Sequence, residues 1–248
     1  MRQSGFDGLP TGHTFADRYR VEEVIGQGSF AAVYRATDLL LGHPVAVRVI
    51  ARPESAEDGD EVRKAFQREA GALAALHHPN LVAVYDFGTD PGLGLDFVVM
   101  EPVQGEALSD RLRRSGDIPF AEALRILLDA AAGVEAGHNA GLVHRNLKPG
   151  NILLAPSAGR DDFRVYVLDF GVARFTARDA GEHTRSGRSY ASPEQLRGDR
   201  ELTPASDVFS LGAIGYQLLG HEKPFPRKRL RGRGETDAPV VPLRELNP

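Results

Sequence analysis

At Gly105 the periodicity of the chain changes, and that change restricts the fold more than any other feature. Before it, "RYRVEEVIG", "AAVYRATD" and "HPVAVRVIA" are β-rich runs, the first two separated by the glycine turn "GQGSF". "LVAVYDFG" and "LDFVVMEPV" follow, which makes an antiparallel meander of five strands. An acidic linker from Ser55 to Asp60 leads into a helical stretch where Val62, Phe66, Leu73 and Leu76 share one face. After Gly105, Leu124, Leu127, Leu128, Ala131 and Val134 mark a long amphipathic helix ending near Gly141. "NILLA" and "FRVYVLDFG" are short strands, and "TPASDVFSLGAIGYQLLG" reads as a buried helix with Pro204 in its first turn. Strands gathered in one part and helices in the other predict an α+β chain. The expected divisions are a flexible leader over 1–17, a β-rich lobe over 18–104, a helical lobe over 105–226 and a basic, then Pro-rich tail over 227–248. The polar segment from Thr176 to Ser189 is expected to be exposed and mobile.

Composition excludes several functions. A net charge of −4 argues against nucleic-acid binding through bulk charge. With no cysteine there is neither a disulfide framework nor a thiolate metal site. The first residues lack the apolar core of a signal peptide, and no apolar run approaches the roughly 20 residues that span a bilayer. A cytoplasmic protein without nucleic-acid partner or membrane segment is expected.

Two features ask for a chemical explanation. Glu69 lies on the apolar face of its helix, where a carboxylate is costly unless a cation meets it. The loop "GLVHRNLKPGN" packs a histidine, an arginine, a lysine and two asparagines around a proline, and no helix or strand period accounts for that mixture.

Read in order from Arg18 to Gly220, these residues resemble the protein kinases, most closely the bacterial Ser/Thr kinases of eukaryotic-like type. The resemblance implies a bilobal kinase fold: a five-stranded antiparallel N-lobe with one helix and a mainly helical, truncated C-lobe. "GQGSFAAV" is similar to the Gly-rich loop over the ATP phosphates, where Gly26 and Gly28 admit close backbone approach and Ala31 replaces a third glycine. Alone, that stretch would equally suit a plain hairpin. "VAVRVI" matches the family's V-A-I-K strand with Arg48 in place of lysine, and Glu69 falls at the position of that lysine's helix partner, so an Arg48–Glu69 pair would account for the carboxylate. Met100 takes the gatekeeper position, the backbone of Glu101 and Val103 would contact adenine, and Val33, Ala46 and Leu153 would sandwich the base. These last three could equally be ordinary core.

"HRNLKPGN" answers to H-R-D-L-K-P-x-N: His144, Arg145, Lys148 and Asn151 are present, and "DFG" is intact at Asp169, Phe170 and Gly171. The resemblance makes Asn151 and Asp169 the ligands of Mg²⁺, gives Lys148 a Ser/Thr-kinase character, and sets Asp207 to brace the catalytic loop. "SPEQL" matches the end of the activation segment at Ser192, Pro193 and Glu194.

The departures bear on turnover. Asn146 stands where the family has its aspartate; it is nearly isosteric but neutral, and its amide is no useful base. Arg48 is longer, planar and forked, and is expected to crowd the phosphates. Compositional drift could also explain it, since only four of the 30 basic residues are lysine (Lys64, Lys148, Lys223, Lys228), yet Lys148 was kept. Gly187 falls where the family carries a threonine, although Ser186 or Ser189 could serve in a shifted register. The basic partner of Glu194 would lie beyond this chain, with Arg227, Arg229 or Arg231 as substitutes. Together these features imply a pseudokinase that binds ATP or ADP with Mg²⁺ and serves a regulatory or scaffolding role with a protein partner. A slow Ser/Thr kinase acting on protein hydroxyls, or an active kinase deliberately inactivated at these positions, are the alternatives. The basic run "RKRLRGRG" reads as a solvated loop.

Overall fold

In the computed structural model, residues 8–27, 31–50, 68–115, 117–157, 162–170, 187–199, 201–225 and 240–247 are described. The chain divides into two compact units: Met1–His77 with Val82–Val103, and His78–Leu81 with Gln104–Pro248. The division differs from a single cut at 104, because the short stretch around Asn80 leaves the first unit for the second.

The first unit is built on an antiparallel sheet of β1 (Thr14–Phe15), β2 (Tyr19–Gln27), β3 (Ala31–Asp38), β4 (Pro44–Ile50), β5 (Val84–Thr89) and β6 (Asp96–Met100), in the order β1-β2-β3-β4-β6-β5. A helix α1 is described over residues 68–74. Alternation along the strands separates two faces. Ala32, Tyr34 and Ala36 of β3, Val45, Val47 and Val49 of β4, and Phe97 and Val99 of β6 form a buried core with Phe15, Tyr19 and Val21. The rings of Phe15 and Tyr19 meet Phe97 edge-on at 5.2 and 5.8 Å.

The five strands read from the sequence are all present, but the expected leader is not loose. Residues 1–7 lie outside the described residues; from Leu9 onward the chain is tied down. Leu9 N–H donates to the Tyr34 hydroxyl at 2.7 Å, Ala16 N–H donates to Asp90 Oδ2 at 2.6 Å, and Phe15 is fully buried. One aromatic ring on the sheet supplies enough apolar area to dock a two-residue strand. Arg18 then forks onto Asp38 at 2.7–3.1 Å and reaches Asp86 at 3.2 Å, and this guanidinium holds the Asp38 carboxyl below its usual range.

The second unit has a three-stranded sheet, β7 (Glu106–Ala107), β8 (Ile152–Pro156) and β9 (Phe163–Val167), with helices α2 (Leu108–Ser115), α3 (Phe120–Asn139), α4 (Pro193–Arg197), α5 (Pro204–Gly220) and α6 (Leu243–Leu246). Asn80 edges this sheet: its carbonyl accepts from Val167 N–H at 2.8 Å and its amide donates to Val165 O at 3.0 Å. The buried face of α3 is Ala123, Ile126, Ala130, Val134 and Gly137, with Leu127 seated against Gly215 of α5. Leu124 and Leu128, expected on that face, are 42% and 60% exposed. Apolar residues surround much of this helix, and small residues rather than leucines are what close packing selects. α5 starts at Pro204 as expected, and half its residues are buried. The tail is not wholly free either, since Tyr216 Oη donates to Val241 O at 2.7 Å and Asn247 Nδ2 donates to Leu219 O at 3.0 Å. Among the described residues no helix is long and apolar enough to cross a membrane.

Candidate active site

The sheet register of the first unit brings several expected nucleotide residues to one face. Residues directly opposite on antiparallel strands share a face, as do residues two apart on one strand. Gly26 lies opposite Val33, Val33 opposite Arg48, Arg48 opposite Val98, and Ala46 opposite Met100. Gly26, Val33, Ala46, Arg48 and Met100 therefore share the face turned away from the core of Tyr34 and Val47. Gly28 lies outside the described residues, as do Val62 and Phe66. Arg48 and Glu69 are both half-buried, with Arg48 Nε and Glu69 Oε2 shielded from solvent, and each takes part in polar or charge interactions. At the end of β6, Glu101 N–H donates to Ala83 O at 2.9 Å, and Val103 N–H donates to Glu101 O at 3.0 Å. The two backbone groups expected to meet adenine thus hold each other.

In the second unit, the loop between α3 and β8 is built around Asp207. This carboxylate, 1% exposed on the first turn of α5, accepts from His144 N–H at 2.7 Å, Arg145 N–H at 2.9 Å and His138 Nε2 at 2.8 Å. The backbone needs this support because Arg145 sits at φ 69°, in the left-handed region. His144 is fully buried; its Nε2 donates to Leu168 O at 2.8 Å and its Nδ1 accepts from Asn146 N–H at 3.4 Å. Burial lowers the His144 pKa, which favours the neutral ring this pattern requires. The brace through Asp207 agrees with the expectation. His138 was not anticipated, and a histidine near a helix C-terminus carries no local signal for such a bond.

The expected metal residues come next. Lys148 O accepts from Asn151 N–H, Asn151 O accepts from Leu168 N–H, and Asn151 Nδ2 donates to Asn146 O at 2.8 Å. With its amide nitrogen so engaged, the side-chain oxygen of Asn151 is left as the acceptor. Asp169 is half-buried at φ 61°, a second left-handed residue in the same loop cluster. One carboxylate and one amide oxygen suit Mg²⁺, which takes few protein ligands and fills its octahedron with waters and phosphate oxygens. Among the described residues no cluster of three or more His, Cys, Asp or Glu side chains competes for a metal. Leu153, on β8 opposite Tyr166 and Ala107, is half-buried. Lys148 is half-buried at the entry to the Pro149–Asn151 turn.

Phe170 locks this arrangement. Its ring is buried, 5.0 Å from the His144 ring and 6.4 Å from that of His138, and it presses on α3 where residue 137 is glycine. A Cβ at Gly137 would lie 2.1 Å from Phe170 Cζ. Gly137→Ala is therefore expected to destabilise the fold by about 1–3 kcal/mol through overpacking, even though alanine favours helix by up to about 1 kcal/mol. Denaturant titration checks this, and an unchanged midpoint would mean the ring moves aside freely. Gly171 lies outside the described residues.

The segment expected to be exposed up to Ser189 is, over 171–186, outside the described residues; its described end is buried, not exposed. Gly187 and Ser189 are buried; Gly187 O accepts from Tyr190 N–H and Ala191 N–H in a local turn, and Tyr190 O accepts from Ser210 Oγ at 2.8 Å. Ser186, Arg227, Arg229 and Arg231 are outside the described residues. Glu194 has a hydroxyl on it, since Ser206 Oγ donates to Glu194 Oε1 at 2.6 Å.

The comparisons with known proteins agree with this geometry. The family model described as "Protein kinase domain" matches residues 19–239. Serine/threonine-protein kinase PknA of Mycobacterium tuberculosis is 37% identical over 222 residues, covering 86% of this chain and 49% of its own. Pkn3 of Myxococcus xanthus is 37% identical over 243 residues, covering 94% and 44%, and PknB of Mycobacterium leprae 38% over 217 residues, covering 85% and 33%. The chain thus spans half or less of the length of these relatives. The crystal structure of the Mycobacterium tuberculosis PknI kinase domain superposes with a TM-score of 0.73 at 25% identity, covering 96% of this chain and 84% of that one. The chain belongs to the protein kinase domain family, in its bacterial eukaryotic-like Ser/Thr branch.

Proposed function

We propose that this domain is a nucleotide-binding pseudokinase with a regulatory or scaffolding role toward a protein partner. The observation that carries the reading is Asn146: a neutral amide stands in a loop whose brace is otherwise complete. Asp207, His144 and Asn151 hold that loop in place, so what is lost is the proton acceptor and not the architecture. Arg48 would compound the loss: it would pair Glu69 but present a broad fork where the family presents a point charge.

In the first unit Gly26, Gly28, Val33, Ala46, Met100, Glu101 and Val103 would serve nucleotide binding; in the second Leu153 would do so too, and Asn151 and Asp169 would hold Mg²⁺, which when bound neutralises phosphate charge. Asn146 can still hydrogen-bond an acceptor hydroxyl, so recognition outlasts turnover. Adenine has to displace the Val103–Glu101 hydrogen bond, a second reason besides Arg48 to expect modest affinity. An active Ser/Thr protein kinase is the second reading, favoured by the similar proteins called serine/threonine-protein kinases.

A nucleotide titration followed by thermal unfolding, with and without Mg²⁺, tests the binding reading. Ligand at ten times its Kd adds about 1.4 kcal/mol by mass action, which for a chain of this size raises Tm by roughly 3–6 °C. The Mg²⁺-dependent part should vanish in Asp169→Ala. A flat response at millimolar nucleotide, identical in Asp169→Ala, would leave only a ligand-free scaffold.

A further inference from the structure

Gln195 is 4% exposed and uses both ends of its carboxamide. Its Oε1 accepts from Ser192 N–H at 2.9 Å, the reciprocal half of a capping box in which Ser192 Oγ accepts from Gln195 N–H at 3.4 Å. Its Nε2 does something no cap requires: it donates to Arg145 O at 2.5 Å, across 50 residues of sequence. Arg145 is the left-handed residue of the loop, and Asp207 holds only its N–H side. Gln195 holds the carbonyl side, which belongs to the peptide leading into Asn146. From there, Asn146 O carries the constraint to Asn151 Nδ2.

We infer that Gln195 is a positioning residue: it ties the segment 187–199 to the catalytic loop and fixes the Arg145–Asn146 peptide. Any effect through Asn151 on Mg²⁺ rests on the nucleotide-binding reading above, whereas the tether itself needs only the geometry.

Gln195→Glu separates the two roles. A carboxylate still accepts from Ser192 N–H but faces Arg145 O with no proton to donate. In ligand-free protein at neutral pH, amide exchange at 144–147 should rise on the order of tenfold over wild type, the loss of one hydrogen bond, while amides of α4 stay protected. A carboxyl buried against a carbonyl has a raised pKa, so lowering the pH to about 5 should protonate it, restore a donor to Arg145 O and return the ratio to wild type toward unity. Gln195→Met should loosen the loop with no acid rescue. Ser192→Ala should loosen α4 and leave the loop alone. If Gln195→Glu does not fold at neutral pH, the Gln195→Met and Ser192→Ala pair still decides. Unchanged loop exchange in the Gln195 variants, or loop and α4 amides rising together in all three, would overturn the tether. None of these readouts uses nucleotide, so a flat nucleotide titration leaves the result standing.

Discussion

Asp207→Ala is expected to cost about 3–5 kcal/mol of stability, the largest single-residue effect in the second unit. Three donors converge on this carboxylate: two successive backbone N–H groups of the catalytic loop and the imidazole of His138. Removing the acceptor leaves them without their partner in a region where His144 and Asp207 are both essentially inaccessible. Each buried polar group so stranded costs about 1–3 kcal/mol. The left-handed Arg145 also loses what offsets its strain, about 1–3 kcal/mol in itself, so the loop relaxes and recovers part of the total. Asp207→Asn keeps the volume but turns an N–H toward one of the three donors, and is expected to fall between wild type and alanine. Denaturant titration of the three proteins measures the order. A loss below about 1 kcal/mol for Asp207→Ala, the scale of an exposed ion pair, would show that the carboxylate does not brace the loop.

Phosphoryl transfer is expected to be near background in the chain as it stands, and to rise on reversion of two residues. Asn146 cannot accept the hydroxyl proton, and a missing general base costs about 10²–10⁴-fold. Asn146→Asp alone is expected to recover roughly 10²-fold, the low end of that range, because on the proposed reading Arg48 would still misplace the phosphates. Asn146→Asp with Arg48→Lys is expected to exceed either change alone, since both serve one transition state and such effects do not add independently. Transfer of labelled phosphate to the protein itself or to a generic basic substrate is the measurement, with all variants in this same length of chain. If the unmodified protein transfers phosphate at a rate the double reversion does not improve, the pseudokinase reading is wrong. Asn146 and Arg48 would then be working residues of an active kinase.

Much of this protein was legible from its letters because the relevant signals are local. Five of the six strands of the first unit follow from β-rich runs with turn residues between them, and the start of α5 from Pro204 at its first turn. Family motifs placed Asp207 against the catalytic loop, a bond of residues 62 and 63 apart that no periodicity would have found. One missed signal was in reach: Ser192 and Gln195 have the spacing of a capping box, which points to both side chains.

Other features were decided only in three dimensions. Phe15 ends a strand of two residues, too short to show a period, and becomes structural because its ring packs edge-on against Phe97. Leu124 and Leu128 fit a helical stripe as well as Ile126 and Ala130 do, and which stripe is buried depends on where α5 approaches. Asn80 joins β9 from 85 residues away, Ser206 donates to Glu194, and Gln195 reaches past its own cap to Arg145. Strand and helix periods are set by neighbours two to four residues apart, so the sequence determined the elements, the family and the substituted chemistry at Arg48 and Asn146. A buried donor or acceptor must be satisfied, but many residues of the chain could satisfy it; packing alone chose the partners, and with them the rigidity of the loop that holds Asn146.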